Sequence, residues 1–206
     1  MESESAPENP VEASIRERLA AGDLTEAAKL GLNAYGSELL RFAAAMLRSP
    51  DAAEDAFGEA CEKIWAGLPS FRRESSFRTW AFVVMRRICF EHLRSPRARR
   101  QAPLSEAGPL SGIAAQVRTA TQPFLRTDVK DRLRALRESL SPEEQALLSL
   151  RIDRGLPWAE IAVILHDEEA DAAERKRREA ALRKKLERLK DRLRELAKKD
   201  GLLGGE

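Results

Sequence analysis

Between Pro69 and Trp80 the chain gathers Phe71, Arg72, Arg73, Ser75, Ser76, Phe77, Arg78 and Trp80 into one short stretch. These are the side chains needed to hold a base that has left its stack. Guanidinium groups pair with phosphates, hydroxyls bond to base edges, and aromatic rings stack on the base or wall it in. The same residues also suit a plainer job, in which the rings enter a core and Ser75 or Ser76 caps a helix.

Charge along the chain weighs between the two. The 206 residues carry a formal net charge of only +2, but that sum averages over blocks of opposite sign. Asp51, Glu54, Asp55, Glu59 and Glu62 stand together with no cation among them. Residues 71–100 hold nine arginines, Arg86 and Arg87 among them, against Glu74 and Glu91. Residues 175–199 hold thirteen lysines and arginines against Glu179, Glu187, Asp191 and Glu195. Two separated cationic zones suit two contacts with a polyanion, and the acidic block suits a basic protein partner.

These side chains must be carried by helices, because apolar residues recur at three- and four-residue spacing and nowhere alternate as in a strand. The spacing predicts an all-α chain. A helix over 24–47 aligns Leu32, Tyr35, Leu39, Phe42, Ala43 and Met46 on one stripe. Ser49-Pro50-Asp51 starts a second, over 50–66, with an N-cap, a proline in the first turn and an acid at the positive end of the dipole. Its apolar side holds Ala53, Ala56, Phe57, Ala60, Cys61, Ile64 and Trp65, and its other side the five acids with Gly58. A third, over 76–94, is apolar nearly all round and is expected at the centre of the first domain.

Residues 95–127 carry four prolines without apolar periodicity and read as an irregular linker. A short helix over 128–139 follows, then Ser141-Pro142-Glu143-Glu144, which has the form of a capping box. After Gly155 come a short helix from Pro157 to Leu165, a polar stretch, and a long basic helix over 172–198. Two short helices before a basic one suggest a helix-turn-helix. Leu182, Leu186, Leu189, Leu193 and Leu196 would form its inner seam; a coiled coil competes, though the leucines last only about two heptads. The domains are therefore expected as an acidic extension 1–23, a helical bundle 24–95, the linker 96–127, a helix-turn-helix domain 128–199 and a tail 200–206.

Composition excludes much else. Cys61 and Cys89 fall on apolar faces without the spacing of a metal site or a disulfide framework, as expected for free thiols in a reducing cytoplasm. No apolar run is long enough to span a bilayer, and the acidic amino terminus does not have the pattern of a signal peptide. With only His92 and His166, no Gly-rich phosphate loop and no nucleophile motif, neither catalytic residues, nor a metal, nor a cofactor is expected.

The order of parts resembles the extracytoplasmic-function group of sigma-70 factors of bacterial RNA polymerase, which keep conserved regions two and four. Asp51-Ala-Ala-Glu54-Asp55-Ala-Phe57-Gly-Glu59 through Trp65, then Leu68-Pro69-Ser70-Phe71-Arg72 and Glu74-Ser75-Ser76-Phe77-Arg78-Thr79-Trp80, is similar to region two. Leu140-Ser141-Pro142 through Leu150, Gly155 through Ala162, and Leu182 through Arg188 are similar to region four. The resemblance implies that Asp51, Glu54, Asp55, Glu59 and Glu62 dock on the polymerase clamp, with Asp55 and Glu59 foremost. It implies that Phe71, Arg72, Arg73, Ser75, Ser76, Phe77, Arg78, Trp80, Arg86 and Arg87 meet the minus-10 element. Arg183, Lys184, Lys185 and Arg188 would meet the minus-35 element. Core polymerase and promoter DNA are the implied partners, with room for an anti-sigma factor. Two departures stand out: family members usually carry glutamine where Gly58 stands, and Asp167 to Glu179 adds a charged insert before the recognition helix. A stand-alone helix-turn-helix regulator, or a helical adaptor dimerising through the leucine seam, would use the second domain without the acidic helix and aromatic turn.

Overall fold

The computed structural model of the chain describes residues 9–94, 110–125, 139–166 and 170–199. All the regular structure in these residues is helical, in two compact units that divide between Gln122 and Pro123. In the first unit α1 runs Pro10–Ala20, α2 Leu24–Leu47, α3 Pro50–Gly67 and α4 Phe77–Arg94, and α5, Ser111–Leu125, lies in it up to Gln122. In the second, α6 runs Pro142–Leu148, α7 Trp158–His166 and α8 Ala172–Lys199. The expected tail 200–206, and all of the expected helix over 128–139 but its last residue, lie outside the described residues.

The helix ends follow local chemistry. Ser49 Oγ accepts from Ala52 N at 3.3 Å with Pro50 in the first turn of α3, and α2 stops at Arg48, whose φ of 56° breaks the helical path. All six residues of the anticipated α2 stripe are buried, and α4 packs on both α2 and α3. Phe42 meets Phe82 edge-on, with ring centroids 5.6 Å apart.

Two elements of this unit correct the reading of the sequence. The segment expected as an extension contains α1, which packs on α2 and buries Ile15. Asn9 caps it through a 3.0 Å bond from Val11 N, and Pro10 opens it. The second half of the expected linker is α5, which buries Leu110, Ala114, Val117 and Thr121 at helical spacing. Val117 fits over Gly36, and Thr121 Oγ1 donates to Ser37 Oγ at 3.2 Å.

In the second unit the capping box is present: Glu144 N donates to Ser141 Oγ at 3.3 Å, and Ser141 N to Glu144 Oε2 at 2.9 Å. The helix then widens into a π-helical turn over Ser149–Asp153, and Gly155, with φ of 66°, turns the chain toward α7. Leu182, Leu186 and Leu189 are buried, whereas Leu193 and Leu196 are half-buried, so the seam ends short of the helix. The start of α8 at Ala172 absorbs the second part of the charged insert as an added front to the helix, capped by Asp171 through a 2.7 Å bond from Glu174 N.

Candidate functional site: an acidic helix and an aromatic turn

Helix α3 presents its carboxylates as an edge. Asp51, Asp55 and Glu62 are exposed, while Glu54 and Glu59 are half-buried. Glu59 is tied to its neighbours, with Lys63 Nζ at 2.8 Å and His92 Nε2 at 3.1 Å. Burial pushes its carboxyl up, but the bonds from Lys63 and His92 outweigh that and hold it below the usual range. Lys63 in turn is raised, first by its bond to Glu59.

Gly58 sits among these acids by helical spacing, four residues after Glu54 and four before Glu62, yet it is covered. It is buried, and the nearby rim is occupied by α5, whose Arg118 Nη2 donates to the Glu54 carbonyl at 3.3 Å. A glycine in mid-helix costs about 1 kcal/mol of helix propensity relative to alanine. Its burial moves the departure from the family pattern off the exposed face, where sequence had set it.

The aromatic turn is built just past the end of α3. A single 3₁₀ turn over Leu68–Ser70 ends α3, and Phe71 N donates back to Leu68 O at 3.2 Å. Phe71 and Trp80 then stack, with centroids 4.8 Å apart and planes at 26°. Both rings are half-buried, and Trp80 also lies against Gly67, where an added Cβ would sit 3.0 Å from its ring. Arg72 and Arg73 are exposed beside the pair, Arg72 bridged to Glu74. Arg73 holds a φ of 60°, a conformation that L residues seldom adopt, so the turn is sharply bent where its cations project. Arg87 is exposed on α4; Arg86 is half-buried with its guanidinium 4.6 Å from the Phe90 ring centre.

Three residues expected in this interface have other work. Phe77 is 1% exposed and packs on Gly31, so its ring is core and offers no surface to a base. Ser76 caps α4, its Oγ accepting from Thr79 N at 3.0 Å; Ser75 beside it is half-buried. Arg78 makes two bonds to Glu38 Oε2, at 3.0 and 2.7 Å, which turns its guanidinium inward. The residue that sequence reasoning missed is Glu12, whose carboxylate accepts from Phe77 N at 2.8 Å and Arg78 N at 3.0 Å. Its signal was local: Asn-Pro-x-Glu has the form of a helix start, although its target 65 residues away could not be read from it.

In the second unit Lys184, Lys185 and Arg188 project from α8, clear of the buried leucines. Arg183 is also exposed but is held by Glu179 at 3.0 Å, and it lies 5.6 Å from the Trp158 ring centre. Among the described residues there is no group of three or more potential metal ligands, and no helix is long and apolar enough to cross a membrane. Burial pushes the Cys61 thiol up to about 12 and Cys89 higher still, so neither is a ready nucleophile.

The family profile of sigma-70 region 2 matches residues 32–100, which take in α2 from Leu32 onward, α3, the aromatic turn and α4. The ECF RNA polymerase sigma factor SigM of Mycobacterium tuberculosis is 31% identical over 83 residues, which are 40% of this chain and 42% of that protein. The probable ECF RNA polymerase sigma factor SigI of the same organism is 32% identical over 90 residues, covering 43% of this chain and 31% of its own length. A probable RNA polymerase sigma factor of Haemophilus influenzae is 32% identical over 65 residues, covering 32% and 34%. The chain thus spans less than half the length of each of these relatives.

Proposed function

We propose, from the premise that this chain belongs to the ECF group of the sigma-70 family through its region 2 domain, that it directs transcription initiation. In this reading it binds bacterial core RNA polymerase, recognises minus-35 and minus-10 promoter elements and promotes strand separation. It carries out no bond chemistry itself; that belongs to the polymerase.

One observation carries the reading: a single helical unit sets an exposed carboxylate edge on α3 and, just past its end, a stacked Phe71–Trp80 pair beside exposed arginines. Asp51, Asp55 and Glu62, flanked by Glu54 and Glu59, suit a basic helical surface such as the polymerase clamp. Phe71 and Trp80 give a flipped base an aromatic platform, with Arg72, Arg73 and Arg87 near its phosphates. Taking a base out of the duplex costs a few kcal/mol, and stacking on an aromatic ring returns about 1–3 kcal/mol per base, so the two are commensurate. Lys184, Lys185 and Arg188, with Arg183, supply phosphate and base contacts from α8.

Asp55→Arg tests the docking step. Asp55 is exposed, so its replacement leaves helix content and melting temperature unchanged. A like charge set against a basic partner costs several kcal/mol, so affinity for core polymerase, measured by fluorescence anisotropy, falls by on the order of a hundredfold or more. Unaltered affinity would take α3 out of the polymerase interface.

A further inference from the structure

The aromatic turn rests on a polar network that reaches it from the far end of the first unit. Glu12 of α1 accepts from the backbone N–H groups of Phe77 and Arg78, the first two residues of α4. Ser76 takes the next N–H, that of Thr79. Three donors that a helix start leaves without intrahelical partners are thereby filled, two of them by a carboxylate at the positive end of the helix dipole.

The network continues behind this contact. Tyr35 of α2 bonds to Glu12; burial first, and then the neighbouring carboxylate, raise its hydroxyl well above the usual range. Asn9 Nδ2 donates to Tyr35 Oη at 3.3 Å, and the Arg78 guanidinium lies 5.8 Å from the Tyr35 ring centre while bonded to Glu38. Glu12, Tyr35, Arg78 and Glu38 thus lock α1, α2 and the first turn of α4 together. In contrast, Arg72 and Arg73 of the turn are exposed, and Trp80 stands one helical turn after the residues that Glu12 holds. The placement of the Phe71–Trp80 pair therefore depends on where the first turn of α4 is fixed.

We propose that Glu12 is a positioning residue for the base-holding turn, with Arg78 as its partner in that role rather than a phosphate contact, so that α1 is a working part of the nucleic-acid-reading unit. The proposal rests on the function proposed above. It is tested in the full chain with Glu12→Ala, with the milder Glu12→Gln, and with Arg78→Gln.

In Glu12→Ala the Phe77 and Arg78 amides exchange with solvent at least about tenfold faster, while buried amides of α2 and α3 keep their protection. Core polymerase affinity stays within about twofold, yet run-off transcription drops by about tenfold or more, because the α3 edge is intact and the turn is not. Glu12→Gln, which keeps one acceptor oxygen, falls between. Arg78→Gln lowers transcription without changing the slope of log promoter affinity against log salt, whereas loss of a phosphate contact would reduce that slope by about one. Unchanged transcription in Glu12→Ala, an equal fall in polymerase binding and transcription, or a slope reduced by about one in Arg78→Gln would each overturn the proposal. Failure of the wild-type chain to bind any core polymerase would instead defeat the proposed function, and the exchange of the two amides would still decide whether Glu12 fixes the turn.

Discussion

A methyl group at position 31 has nowhere to go. An ideal Cβ there would lie 2.2, 2.5 and 2.7 Å from three ring atoms of Phe77, which is itself buried in the core. Gly31→Ala would gain about 1 kcal/mol of helix propensity, but overpacking of this kind costs about 1–3 kcal/mol or more, and the second effect wins. The variant is expected to melt several degrees below wild type by circular dichroism; an equal or higher melting temperature would show that Phe77 can move aside. This contact shows what sequence hides at the residue scale. Leu32, Tyr35 and Leu39 announce themselves by spacing along one helix, but that Phe77 needs a glycine opposite depends on how two helices cross. For the same reason Phe77 and Arg78 read as interface residues from their neighbours in sequence, when the fold turns one into core and the other toward Glu38. Gly58 does sit among the acids along α3, as its spacing says, but spacing could not show that this position is buried.

At the scale of elements, α2 was legible from its apolar stripe, and α3, α4 and α6 because their starts carry caps: Ser49-Pro50 before α3, Ser76 before α4, and the Ser141–Glu144 box before α6. Helix α5 was read as linker because prolines dominate the segment before it, yet Leu110, Ala114, Val117 and Thr121 already step by four, three and four. α1 is short and weakly amphipathic; its stability comes from packing on α2 and from what Glu12 does at α4, both tertiary effects. The tie between α6 and α8 gives a pH prediction. Arg192 Nη2 lies 2.7 Å from Glu144, and that bond, opposed by burial and aided by the Ser141 N–H, holds the Glu144 carboxyl below its usual range. A depressed carboxylate adds stability above its unfolded pKa of about 4.3 and loses it as pH falls through the folded value. Thermal melts of the second unit should therefore decline below about pH 4.3, and less steeply in Arg192→Ala. Equal acid sensitivity in the two proteins would mean that the Glu144–Arg192 pair contributes nothing to it.

Across the whole molecule, the separation of charge into one acidic block and two basic zones is the sequence signal on which the proposed function first rests. A net charge of +2 by itself points to no polyanion, whereas the distribution suits the two proposed partners, a basic protein and a nucleic acid. The fold keeps that separation where it matters for the proposed role: Asp51, Asp55 and Glu62 of the acidic block stay exposed on α3, Arg72 and Arg73 are exposed beside the Phe71–Trp80 pair, and the cations of α8 belong to the other unit. The proposed strand opening was not legible as geometry, because Glu12, which accepts from the first two N–H groups of α4, lies in a segment that sequence assigned to an extension. The most direct test combines the purified chain with core polymerase on a library of promoter fragments and maps the run-off start sites. The account predicts discrete start sites that require the chain, share upstream elements, and vanish when Phe71 and Trp80 are both replaced by alanine. It would be contradicted if no core enzyme initiated with the chain while the chain alone bound intact duplex tightly, or if the double substitution left initiation unchanged.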